Sequence, residues 1–190
     1  GISVFNRKVN FIDKRMFQRL RVPLGFFCAA VFLVFAKPQM PSLLIGAAIA
    51  TVGLCVRAWA SGHIRKNREL TISGIYAHTR NPLYLGSFII GIGFMIASGV
   101  WWLSLVFAAL FLGIYLPVMR VETVDLTNIF GAEFEEYRKN VPLFFPRLTA
   151  WKKYNANFDF QFYLNYREYR AALGLIFALG LLAVKTFWFR

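Results

Sequence analysis

Apolar residues in this chain come in long runs, separated by polar segments punctuated with glycine and proline. Five runs read as membrane spans, at about 22–36, 43–60, 83–98, 100–119 and 171–189. A helix rises 1.5 Å per residue, so crossing ~30 Å of hydrocarbon takes about 20 residues. The first and third runs are short by that measure. Ser98-Gly99 is a tight break, which predicts a helical hairpin from the third and fourth. Two further stretches have the spacing of amphipathic helices. One is residues 1–21, with Phe5, Val9, Ile12, Met16 and Leu20 along one stripe. The other is residues 120–140, where Glu122, Leu126, Ile129, Phe130, Phe134 and Tyr137 recur and Glu133 and Glu136 fall on the wet side. Gly131 is a candidate break within it. The predicted fold class is all-α: a polytopic membrane protein of about five transmembrane helices, with residues 1–190 forming one membrane domain.

Composition supports the pattern. The chain is 58% hydrophobic with a mean hydropathy of +0.52, which excludes an ordinary soluble domain. Its net charge of +13 is explained by topology rather than by nucleic acid. With the amino terminus inside, 19 of the 22 lysines and arginines lie on the cytoplasmic side, and Lys37, Lys185 and Arg190 lie outside. That puts the polar segments on a cytoplasmic face, the carboxyl end outside, and the bilayer as the first partner. The basic flank and short core of the first run also suit a secretory leader; it is read here as a membrane helix. Cys28 and Cys55 sit in apolar runs and read as packing residues, and no Cys/His cluster has metal-ligand spacing. In 151–190 an aromatic segment (Phe158, Phe160, Phe162, Tyr163, Tyr166, Tyr169) precedes the last span. It reads either as a headgroup-level belt or as a wall for a lipidic substrate.

Two polar stretches carry the candidate chemistry. In the first, residues 70–86, Asn81-Pro82 has the pattern of a helix start, with Asn as N-cap and Pro at the first helical position. Such an end can also hold an anion. In the second, residues 122–146, Glu122 shares a helical face with apolar residues, so it needs a partner or a ligand. A structural ion pair with Arg120 or Arg80 is the plain alternative. His63 and His78 lack a nucleophile–acid constellation and read as polar loop residues. Gly91 and Gly93 read as helix-packing positions, and Arg57 as a side chain that snorkels.

The two stretches together resemble a known superfamily. Gly74-x-Tyr76-x3-Arg80-Asn81-Pro82-x-Tyr84-x-Gly86 is followed by Glu122-x3-Leu126-x3-Phe130-Gly131 and Tyr137-x3-Val141-Pro142. This is similar to the integral-membrane methyltransferases, namely the isoprenylcysteine carboxyl methyltransferases and the phospholipid N-methyltransferases. The resemblance covers residues 61–146, which would be the catalytic region. It implies S-adenosylmethionine as cofactor, with contacts at Lys66, Leu70, Thr71, Tyr76, Asn81, Pro82, Leu83, Tyr84 and Glu122. It also implies catalytic roles for Glu122, Arg120 and Tyr84, and an amphiphilic methyl acceptor drawn from the membrane. Three departures stand out. Asn81 occupies the place of the usual His, as in the phospholipid relatives. Glu122-Thr123 keeps half of the usual acidic pair. Val118 stands where carboxyl methyltransferases carry a substrate-binding Arg, and Arg120 is about 200° around a helix from Glu122.

The preferred reading is methyl transfer to an isoprenylcysteine-like carboxylate, which is already nucleophilic. The alternatives are a phospholipid amine, which would need a base, an NADPH-dependent sterol-reductase-like enzyme, and a non-enzymatic scaffold. Against the reductase, Ser87 stands where those enzymes usually have Asp.

Overall fold

The centre of the molecule is a seam where two helices bring backbone against backbone. Helix α2 (Met40–Ser61) lies antiparallel to α3 (Pro82–Ser98), its most extensive neighbour. Small residues make this possible. A Cβ on Gly53 would come within 2.6 Å of the Gly86 carbonyl oxygen, and one on Gly93 within 2.5 Å of the Gly46 carbonyl oxygen. Gly93 is therefore a packing position, as its pattern suggests. Gly91 makes room for the Phe107 ring.

The computed structural model describes residues 27–64, 69–152 and 157–188. The first 21 residues, with their amphipathic stripe, fall outside the described residues. Residues 27–35 are helical (α1), and α8 (Tyr169–Trp188) completes the bundle. At one end Lys185 Nζ donates to the carbonyls of Leu33 and Val34 at 2.7 and 2.8 Å. There the Lys37 N–H also donates to the Ser98 carbonyl at 2.7 Å. The expected Ser98-Gly99 hairpin closes at this end, with Gly99 left-handed at φ 67°. The opposite end holds the polar segments.

One expectation is corrected by a longer helix. The fourth span does not stop near residue 119; Leu103–Phe130 is a single rod of 28 residues. It consists of α4 (Leu103–Leu110), a π-helical stretch (Phe111–Tyr115) and α5 (Leu116–Phe130). Pro117 supplies the reason for the π stretch: it has no N–H to give residue 113 and its ring crowds that carbonyl, so the turn widens instead of breaking. The rod is ~42 Å long at 1.5 Å per residue, against ~30 Å of hydrocarbon, so its Arg120–Phe130 end projects past the apolar layer. Gly131, at φ 54° and ψ −123°, then ends it, and α6 (Ala132–Asn140) leaves in a new direction. Ile129 turns out exposed, while Leu126 and Phe130 pack on the buried Phe134–Tyr137–Val141 cluster.

Among the described residues, three helices are long and apolar enough to cross a membrane: α2, the rod and α8. The 17-residue α3 is apolar but shorter. The chain is thus an all-helical, polytopic membrane protein. Its outward faces carry Leu44, Val52, Leu105, Leu112, Leu173 and Phe177, as lipid contact requires. Cys55 lies on such a face rather than in the packing. The short α7 (Phe160–Asn165) starts at Asp159, whose carboxylate accepts from the Gln161 N–H at 2.8 Å. Phe160, Tyr166 and Tyr169 near it are exposed.

Candidate active site

The two polar stretches are laced into one unit by hydrogen bonds between residues 61 to 69 apart in the chain. The Thr79 hydroxyl donates to the Phe144 carbonyl at 2.8 Å, and the Arg80 N–H to the Pro142 carbonyl at 3.0 Å. The Asn81 side-chain amide donates to the Leu143 carbonyl at 2.9 Å. His78 and Arg147 exchange two bonds: Nδ1 to carbonyl at 2.8 Å, and N–H to carbonyl at 2.9 Å. Tyr137 donates its hydroxyl to the Tyr76 carbonyl at 2.7 Å. Leu70 and Ile72 pack on the same Phe134–Tyr137–Val141 cluster. Val141-Pro142 and the first motif are thus two halves of one hydrogen-bonded unit. Pro142 stops α6 and offers its carbonyl to Arg80.

Above this base, α3 and α5 meet. The Tyr84 hydroxyl donates to Glu122 Oε1 at 2.7 Å. The Tyr84 ring stands edge-on to Tyr115, with centroids 5.4 Å apart, and Tyr115 stacks on Phe111 at 4.8 Å. Phe88, Phe107 and Phe144 continue this aromatic wall. Tyr115 and Phe111 are the two ends of the π stretch, so the widened turn borders the site. The Tyr76 phenol is pushed well above the usual range, by burial first and then by Tyr137, Glu122, Tyr166 and Glu168. The phenol therefore stays neutral. Burial likewise pushes Tyr137 up and pulls Arg80 down. Arg80 Nε and Nη1 are buried with no hydrogen-bond partner among the described residues.

The other residues singled out by sequence are placed as follows. Pro82 is buried at the start of α3, and Leu83 packs on Ala60, Ile75 and Tyr76. Asn81 occupies the N-cap position, but its side chain makes no cap bond because it is committed to Leu143. Thr71 is half-buried and Arg120 is exposed. Lys66 falls outside the described residues. His63 is buried, with Nδ1 at 2.9 Å from the Trp59 carbonyl and its ring against Phe158.

Arg57 departs from expectation. It does not snorkel: Nη2 lies 2.8 Å from Glu168 Oε1, and Nη1 donates to Ser87 Oγ at 2.6 Å and to the Leu83 carbonyl at 3.2 Å. Glu168 is 111 residues away, and no local pattern announces the pair. The only signal was a cation inside an apolar run.

Comparison with known proteins now decides the family. The phospholipid methyltransferase family matches residues 42–133. The cobalt-zinc-cadmium resistance protein CzcN of Cupriavidus metallidurans is 33% identical over 155 residues, which is 75% of this chain and 69% of that protein. The chain belongs to the phospholipid methyltransferase family. It is therefore an S-adenosylmethionine-dependent membrane methyltransferase, able to bind that cofactor. The nickel-cobalt-cadmium resistance protein NccN of Alcaligenes xylosoxydans xylosoxydans is 37% identical over 113 residues, 57% of this chain and 50% of that protein. The protein-S-isoprenylcysteine O-methyltransferase of Schizosaccharomyces pombe is 28% identical over 128 residues, 65% of this chain and 54% of that protein. The chain thus spans about two thirds of the first relative and about half of the other two. No solved structure matches it. Among the described residues no group of three or more His, Cys, Asp and Glu could hold a metal ion.

Proposed function

We propose that this methyltransferase holds S-adenosylmethionine between the 66–84 segment and Glu122, and methylates the head of an amphiphile that stays in the bilayer. The observation that carries the reading is the Tyr84–Glu122 hydrogen bond, which joins the two motifs across α3 and α5. The residues suit the cofactor's charges. Arg80 has two buried atoms that a carboxylate would satisfy, and Glu122 offers a negative charge to an ammonium. Leu70, Thr71, Tyr76, Asn81, Pro82, Leu83 and Tyr84 would complete the contacts, together with Lys66 from outside the described residues, and Arg120 is retained as a catalytic candidate. When bound, the sulfonium supplies the electrophilic methyl group. The chain's part is to fix the acceptor in line and to keep water out. The aromatic wall of Phe88, Phe107, Phe111 and Tyr115 supports an acceptor with an apolar tail.

An isoprenylcysteine-like carboxylate needs no base and is the preferred acceptor. An amine headgroup is the second reading. What favours it is the Glu122 carboxylate within 2.7 Å of a phenol, an arrangement that can accept a proton. The motif end is assigned to the cytoplasm, because 19 of 22 basic residues lie on that side in the five-span reading. The test is calorimetry with S-adenosylmethionine and with NADPH, then transfer assays on prenylcysteine and on phosphatidylethanolamine, each with and without its tail. The expected result is cofactor binding by S-adenosylmethionine alone and turnover only of tailed acceptors. Equal turnover of tail-less forms would overturn the lipidic acceptor.

A further inference from the structure

We infer that Arg57 is a positioning residue, which pins the first turn of α3 and is itself held in place by Glu168 at the start of α8. The inference rests on the reading of Tyr84 and Glu122 as the cofactor site. Arg57 uses both sides of its guanidinium. Nε and Nη2 reach the Glu168 carboxylate at 2.8–3.1 Å. Nη1 reaches the Leu83 carbonyl and Ser87 Oγ. Ser87 closes the figure by donating to the same carbonyl at 3.0 Å. The next residue after Leu83 is Tyr84, the donor to Glu122. A contact path thus runs from α8 through Arg57 to the site.

Two further observations show that the molecule is built around this clamp. A Cβ on Gly86 would lie 2.5 Å from Arg57 Cγ, so the motif glycine admits the arginine stem. Arg167, beside Glu168, is the one non-glycine residue with positive φ (55°) among the described residues. Backbone strain of that kind persists where surrounding contacts hold it. Stability alone is a poor reason for the pair, whose side chains are only 21% and 11% exposed. Desolvation offsets most of the attraction in such pairs, and apolar replacements are often tolerated. Geometry is the better reason. A rigid planar fork fixes two helices at once, which a lysine cannot do. The clamp also gives α8, which lies outside the 42–133 family match, a part in the site.

The test compares Arg57→Lys, Ser87→Ala and the apolar double variant Arg57→Met/Glu168→Leu with wild type. Three readouts are taken on the full chain in detergent: thermal unfolding, hydrogen exchange of the residue 83–88 amides, and calorimetric affinity for S-adenosylmethionine. The expected result is folded protein, faster exchange confined to that turn, and affinity weakened about tenfold, as for one lost charge-assisted bond. Wild-type exchange and affinity in folded Arg57→Lys and double variants would overturn the inference. If those variants do not fold, Ser87→Ala decides, since it leaves the ion pair intact: faster exchange in the turn supports the clamp, and unchanged exchange overturns it. If wild type itself binds no cofactor, the site reading fails, while the exchange readout still judges the clamp.

Discussion

Tyr84 and Glu122 contribute unequally to the proposed site. The carboxylate carries the charge, and the phenol orients it. Glu122→Ala is expected to weaken S-adenosylmethionine binding by about 1.5–3 kcal/mol, the worth of a hydrogen bond to a charged group. Tyr84→Phe leaves the charge in place and should weaken binding by only ~0.5–1.5 kcal/mol. Calorimetry on the two variants checks the order, and a larger loss in Tyr84→Phe would reverse the assignment. Both residues were singled out in the sequence because spacing within each motif is local, but their hydrogen bond to each other was not foreseen. The partner of Asn81 was not. Asn before Pro reads as a cap, and only the folded 142–147 segment shows that its amide is already committed to Leu143. Arg57 was misread for a similar reason: an arginine near a span end snorkels by default, and Glu168 comes near it only when α8 packs.

At the level of elements, the polar pattern located the long apolar helices and flagged Ser98-Gly99 and Gly131 as breaks, but it missed the short α7 and the continuity of the rod. Residues 100–119 and 120–140 differ in hydropathy, which suggested two helices, yet hydrogen bonding continues through Pro117 by way of the π stretch. The true joint is Gly131, whose φ of 54° and ψ of −123° only glycine adopts readily. Gly131→Ala should therefore destabilise the protein by about 1–3 kcal/mol, seen as a lower unfolding midpoint in detergent. An unchanged midpoint would mean that the joint relaxes freely. The α2–α3 seam gives a sharper case. Gly93→Val places a branched side chain against the Gly46 carbonyl and the Ala50 backbone, with no flexible neighbour to yield. The expected outcome is loss of folded, monodisperse protein in size-exclusion chromatography, whereas Gly113→Ala, with open space around it, should behave as wild type.

For the whole molecule, the sidedness read from charge agrees with the ends the helices form. Lys37 and Lys185 meet at one end, and the laced motifs lie at the other. Which end faces the cytoplasm is open to a direct check. In a background with Cys28 and Cys55 replaced by serine, Leu148→Cys and Trp101→Cys put thiols at opposite ends, both on highly exposed positions. An impermeant maleimide applied outside should label only the Trp101 site, and labelling of the Leu148 site would invert the topology. The mismatch between these helices and the bilayer has a further consequence. The 17-residue α3 spans ~26 Å, and so does the Leu103–Met119 part of the rod once its polar end lies beyond the apolar layer, both less than an average hydrocarbon core of ~30 Å. Thick membranes would draw Tyr84, at the α3 end, below the surface and part it from water-soluble cofactor, and thin ones would lift it clear. Turnover in reconstituted vesicles of graded acyl-chain length is therefore expected to rise as the lipids shorten toward the reach of α3, and a flat profile would show that helix length does not set access to the site.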